Sequence, residues 1–202
     1  SSYLLFFNFI LNLHKEVNMK LTDKLSANFK LNEFCSSVPN EYQICLLRLL
    51  ATNLQLVRNY LNKEFAQTKL NKSKDIGMTI TNGLRTVNDY IRLTNQGYNP
   101  SKTSDHFCGV APYKASPTLG AADVVFTNTS LRIKDIFEAV CKLVAEDKIH
   151  FGQVIIESSK KSTWIHFAND WNDIFKPEIT GNSRKKFLMS EDNGVTFKEY
   201  KV

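Results

Sequence analysis

The chain has 202 residues, 43% of them hydrophobic and 23% charged. That supplies enough apolar material for one globular domain with a buried core, and it excludes a disordered or fibrous chain. Lysine and arginine exceed aspartate and glutamate by 26 − 20 = 6, spread along the chain rather than gathered in a tail. Such a balance favours an anionic partner without selecting one. The four cysteines, Cys35, Cys45, Cys108 and Cys141, include no C-x-x-C pair. A zinc ribbon or thioredoxin-type site is therefore excluded, and reduced, mostly buried thiols are expected.

Residues 1–18 stand apart. Tyr3 to Leu13 is largely apolar, yet short for a membrane span and interrupted by Asn8 and Asn12. No Lys or Arg precedes it and no small-residue cleavage site follows, so it does not read as a secretory signal. Met19-Lys20 reads as a natural start, which sets 1–18 aside as an extension, with a short docking helix as the alternative, and leaves 19–202 as the domain. No other stretch suits a bilayer span.

Within the body, Leu47, Leu50, Leu54, Val57 and Leu61 recur at helical spacing. They predict a helix over Asn40–Leu61, with Asn40 as N-cap and Arg48, Asn53, Gln55 and Arg58 outside the apolar stripe. Met78–Thr81 reads as a strand ending at Asn82-Gly83. Asn95–Pro117 is Gly/Pro/Ser-rich and aperiodic, a long loop of the kind that carries function. Ala122–Phe126 is a second strand. Leu131–Asp147 predicts a helix capped by Ser130, with Ile133, Ile136, Phe137, Val140 and Val144 on one face. Gln153–Glu157 and Thr163–Ala168 flank a polar turn as a hairpin, and Lys186–Met189 with Val195–Tyr200 bracket Asp192-Asn193-Gly194 as another. The mixture predicts a single α+β domain, a small antiparallel sheet flanked by helices.

Four histidines are present: His14, His106, His150 and His166. Taken singly, a strand histidine beside Trp164 reads as a hydrogen-bonded core residue, and Asp123 at a strand start as a turn acceptor. In combination, Ser104-x-His106-x-x-Gly109, Ala121-x-Asp123 and Trp164-x-His166 resemble the M15 family of zinc peptidases. Those are D-Ala-D-Ala carboxypeptidases, dipeptidases and phage endolysins whose motif runs S-x-H-x-x-G-x-A-x-D and later W-x-H. Asn28–Cys35, the helix carrying Asn53–Arg58 and the segment Ile80–Thr86 are similar to further parts of the small single-domain branch. The resemblance covers about residues 22–200.

The resemblance implies one Zn2+ per chain, placed on the sheet and held by His106, Asp123 and His166. Two imidazoles and a carboxylate leave a fourth position open, the arrangement of a catalytic site. Glu157 is the expected general base, since the position three before His166, acidic in other branches, is Thr163. Arg85 is expected to grip the substrate's carboxylate or orient its carbonyl, a task suited to a guanidinium fork. Ser104 is expected to bond substrate, Asp105 to orient His106, and Trp164 to shield the metal from bulk water. His14 and His150 fall outside the pattern.

One departure stands out. The family places seven positions between its first His and its Asp, whereas His106 to Asp123 is 123 − 106 = 17 here. The surplus is accounted for by Ala111–Gly120, inserted where a lid or a substrate-gripping flap could form.

The implied function is hydrolysis of peptide bonds in bacterial peptidoglycan by a carboxypeptidase or endolysin. The stem peptides are the partner, the chain a monomer without stable membrane insertion, and the place of action the cell wall. A phage-encoded protein released through a holin or carried in a virion fits that size. The alternative is a non-catalytic wall-binding or virion structural protein that keeps the fold, which the insertion and Thr163 support. A nucleic-acid partner rests on net charge alone, with no basic helix, finger spacing or RNP-like run, and none is expected.

Overall fold

The structure, a computed structural model, describes residues 19–113, 117–174, 185–192 and 194–202. The extension assigned to residues 1–18 lies outside the described residues.

The first long helix, α1, spans Glu41–Glu64, and Asn40 caps it as the sequence predicts. The Asn40 side chain accepts from the Gln43 amide at 2.9 Å while the Gln43 side chain accepts from the Asn40 amide at 3.2 Å. Two orphan donors of the first turn are thus satisfied reciprocally. Leu47, Leu50, Leu54, Val57 and Leu61 are fully buried. Asn53 and Gln55, expected outside the stripe, are buried too. The reason is the segment before the helix: Phe29, Leu31 and Phe34 pack into the core, and Gln55 accepts from the Asn28 amide at 2.8 Å and donates to the Asn28 side chain at 2.9 Å.

A short helix, α2, runs Val87–Asn95, and the sequence reading did not anticipate it. Its signal was the Thr86–Asp89 capping box, in which Thr86 Oγ1 accepts from the Asp89 amide at 3.1 Å. Helix α3 spans Ile133–Ala145 and buries Ile136, Phe137, Val140 and Val144, with Ile133 half-buried. Ser130 does not cap it. Arg132 holds the N-cap position and pairs with Asp135, while the Ser130 hydroxyl donates to the Thr68 carbonyl at 3.2 Å. A single turn, α4, covers Trp171–Ile174.

Eight strands complete the described residues: β1 Gly77–Asn82, β2 Gly109–Val110, β3 Pro117–Thr118, β4 Ala121–Thr127, β5 Gln153–Ser158, β6 Thr163–Ala168, β7 Lys186–Ser190 and β8 Lys198–Glu199. Six form one sheet in the order β1-β4-β6-β5-β7-β8. The fold is α+β, and the sheet is antiparallel except that β7 runs parallel to β5. The C-terminal pair forms as expected, though β8 is shorter than Val195–Tyr200. Asp192 draws the Val195 and Thr196 amides into the turn at 3.2 and 2.8 Å, removing them from the ladder.

Alternation divides the sheet by chemistry. Ala122, Val124, Val154, Ile156, Ile165 and Phe167 enter the core with α1 and α3. The other face presents Asp123, Ile155, Glu157, Trp164 and His166. One apolar face against helices and one polar face left open is the usual economy of an antiparallel sheet.

The long loop is more structured than expected. It holds a 3-10 turn at Asp105–Phe107, and β2 pairs with β3 across the base of the insertion. Asn169, fully buried, ties this region to the core by donating to the Leu46 carbonyl at 2.9 Å and the Leu119 carbonyl at 2.7 Å. Asn169→Ala orphans both carbonyls and should cost about 1–3 kcal/mol in urea unfolding. A loss within the error of the measurement would show that the tie is dispensable.

Candidate metal centre

Asp123 and His166 face each other directly across β4 and β6, and Asn82 lies opposite Asp123 on the far side, after a bulge in β1. Register alone therefore puts a carboxylate, an imidazole and an amide in one row. His106 comes from the 3-10 turn, whose N-cap Ser104 accepts from the His106 amide at 3.4 Å. The turn ends at Cys108 in the left-handed region (φ 52°).

Three donors converge. His106 Nε2 lies 3.2 Å from His166 Nδ1 and 3.3 Å from Asp123 Oδ1, and His166 Nδ1 lies 3.0 Å from the same oxygen. All three residues are buried. Two ring nitrogens and one carboxylate oxygen aimed at a common point are a ligand set, and His106, Asp123 and His166 could hold a metal ion.

The supporting contacts fit that reading. His106 Nδ1 lies 2.8 Å from the Gly83 carbonyl, so Nδ1 carries the proton and Nε2 is left as the ligand atom. A side chain at Gly83 would overlap the Phe34 backbone, which accounts for glycine there. Asn82 donates to Asp123 Oδ2 at 3.1 Å and fixes the carboxylate plane. Sequence reading missed Asn82 because Asn-Gly after a strand looks like turn chemistry; its facing Asp123 depends on the bulge. Asp105, the residue expected to orient His106, accepts from the Leu119 amide at 2.9 Å and anchors the end of the insertion.

Burial alone would raise the Asp123 carboxyl, but the adjacent His106 and His166 hold it well below the usual carboxylate range. Burial pulls His166 down, and the bond and charge of Asp123 outweigh it in the upward direction. Glu157 behaves oppositely. Burial, aided by Asp123 and opposed by His166 and Arg85, pushes its carboxyl up to about 7.

A cavity of about 720 Å³ opens over this face and is lined by the three candidate ligands together with Glu157, Arg85, Ser104 and Trp164. Every site residue expected from the sequence therefore meets in one place. Arg85 donates to Ser104 Oγ at 3.4 Å. Its Nε and the Trp164 indole N–H are buried without a hydrogen-bond partner among the described residues. The described part of the insertion lines none of the cavity. Tyr113 packs against Tyr90 of α2 with ring centroids 4.6 Å apart, and the wall is built instead by segments such as Tyr98–Ser101.

No protein-family model, curated protein or solved structure matches this chain. What fold and geometry define is a class: an α+β domain with a buried His–Asp–His group at the base of a polar cavity.

Two outcomes follow from this geometry. Asn82→Ala frees Asp123 Oδ2 and should weaken metal binding at the candidate site by about 10–100-fold in chelator competition; unchanged affinity would remove Asn82 from the site. Glu157 is raised from 4.5 to about 7, so its contribution to the metal-free fold is complete at low pH and lost as pH rises through 7. Between about pH 5 and pH 8, wild type should therefore lose on the order of 1–3 kcal/mol relative to Glu157→Gln. Parallel stability curves for the two proteins would contradict that placement.

Proposed function

We propose that this chain is a zinc-dependent peptidase, of the kind its sequence resembles, that hydrolyses peptide bonds in peptidoglycan stems. The observation that carries the reading is the gathering of His106, Asp123, His166, Glu157 and Arg85 around one cavity from five separate segments. Zinc held by the first three would supply Lewis acidity, lowering the pKa of water and polarising a carbonyl.

The remaining chemistry belongs to the side chains. Glu157 sits on β5 with a carboxyl near 7, matched to taking a proton from water and passing it to a leaving amine at neutral pH. Arg85, anchored by its backbone amide donating to the His106 carbonyl at 2.7 Å, offers its guanidinium to a substrate carboxylate beside Ser104. Its Nε is a donor without an acceptor among the described residues. Trp164 and Ile155 contribute apolar surface that limits water around the reacting groups. The excess of six basic residues suits an anionic wall.

The test is digestion of purified muropeptides by zinc-loaded protein, with products read by mass. Cleavage at one stem bond is expected. Glu157→Gln should keep its zinc and lose about a hundredfold or more in kcat, and His106→Ala should lose both zinc and turnover. Stoichiometric zinc with no cleavage of any stem peptide would overturn the enzyme reading in favour of a wall-binding or structural protein. That outcome would also account for Thr163, whose hydroxyl is engaged with Ser158 at 3.0 Å where other branches carry an acid.

A further inference from the structure

Glu157 is held from one side by a turn that nothing in the ligand set requires. Ser190, the last residue of β7 and buried, pairs with Glu157 in the parallel ladder. Its hydroxyl donates to Asp192 Oδ1 at 2.9 Å and accepts from the Gly194 amide at 2.9 Å. Asp192 also accepts from the Val195 amide at 3.2 Å, the Thr196 amide at 2.8 Å and the Thr196 hydroxyl at 2.5 Å. A carboxylate taking that many donors fixes the turn between β7 and β8 against its own strand.

The fixed turn brings Gly194 onto the Glu157 carboxylate. A Cβ at Gly194 would lie 3.0 Å from Glu157 Oε2 and 3.7 Å from the Phe197 ring. Gly194 also has φ +77°, a conformation that other residues adopt only with strain. Gly194, Phe197 and Leu188 line the same cavity as Glu157 and the candidate ligands. A side chain at Gly194 would therefore press on Oε2, and the carboxylate would have to give by a few tenths of an ångström.

We propose that the Asp192-organised turn is a positioning device for Glu157, seating Gly194 against Oε2 so that the carboxylate is confined on its C-terminal side while the metal ligands stay independent of it. Ser190, Asp192 and Gly194 are positioning residues. The proposal deepens the peptidase reading and rests on it for its catalytic consequence, but not for its geometry. The charged groups acting on Glu157 besides the turn are His166 from β6, Asp123 from β4 and Arg85 from the segment after β1.

The experiment compares wild type, Gly194→Ala and Asp192→Asn as full-length zinc-loaded chains. Zinc stoichiometry should be equal in all three. With a stem peptide as substrate, both variants should lose about ten- to a hundredfold in kcat with KM within about threefold of wild type, the pattern of a misplaced reacting group. Independently of turnover, the side-chain carboxyl carbon of Glu157, assigned through Glu157→Gln, should change its NMR shift and titration midpoint in both variants. If wild type cleaves nothing, the peptidase reading fails, and the carboxyl signal alone decides the positioning claim. An identical Glu157 signal and midpoint in all three proteins overturns the proposal.

Discussion

Asp123 is a carboxylate buried in the second strand of a six-stranded sheet, and the polar half of the structure depends on compensating it. A buried charge is tolerated only when it is paired and hydrogen-bonded. The strands meet this in register: His166 lies directly opposite on β6, Asn82 opposite on β1, and His106 arrives from a turn on the same side. A metal ion at their meeting point would complete the same compensation with a fuller charge. The two long helices lie on the other face, where Ala122, Val124, Ile165 and Phe167 of these strands join the hydrophobic core.

That division lets one small sheet serve both as core and as the floor of the polar cavity. Two ligands and the proposed base sit on strands, whose positions are fixed by ladder hydrogen bonds on both sides. The third candidate ligand, His106, sits on a turn, the less precise kind of support, and the turn is correspondingly tied down. Gly83 takes the His106 ring, Arg85 takes its carbonyl, and Leu84 donates to the Phe34 carbonyl at 2.7 Å, so residues 83–85 fasten the turn to the segment packed on α1.

Much of this was legible in the sequence, for physical reasons. The apolar stripe of α1, its Asn40 cap and the two apolar runs of β5 and β6 around a polar turn are local signals, and they appear where expected. The ligand residues were legible as residue types at motif spacing, and they do converge. What could not be read locally was tertiary. Asn53 and Gln55 look like surface residues until the chain before α1 folds over them. Ser130 looks like a cap, but the helix starts only after Arg132 and the Ser130 hydroxyl donates to the Thr68 carbonyl. Asn82 becomes a partner of Asp123 only through a bulge, and the described part of the insertion lines none of the cavity, with Tyr113 packed against Tyr90 of α2 instead. The parallel placement of β7 beside β5 follows from a connection that no hairpin pattern encodes.

The central claim is that His106, Asp123 and His166 together bind one metal ion. X-ray absorption at the zinc edge of the loaded protein addresses it most directly. The expected spectrum shows only nitrogen and oxygen donors at about 2.0–2.2 Å, with the multiple scattering of two imidazoles. Replacing Asp123 with Ala should remove the bound zinc while the fold persists. Sulfur scattering at about 2.3 Å would place the metal on cysteine instead, and a first shell without imidazole would contradict the account.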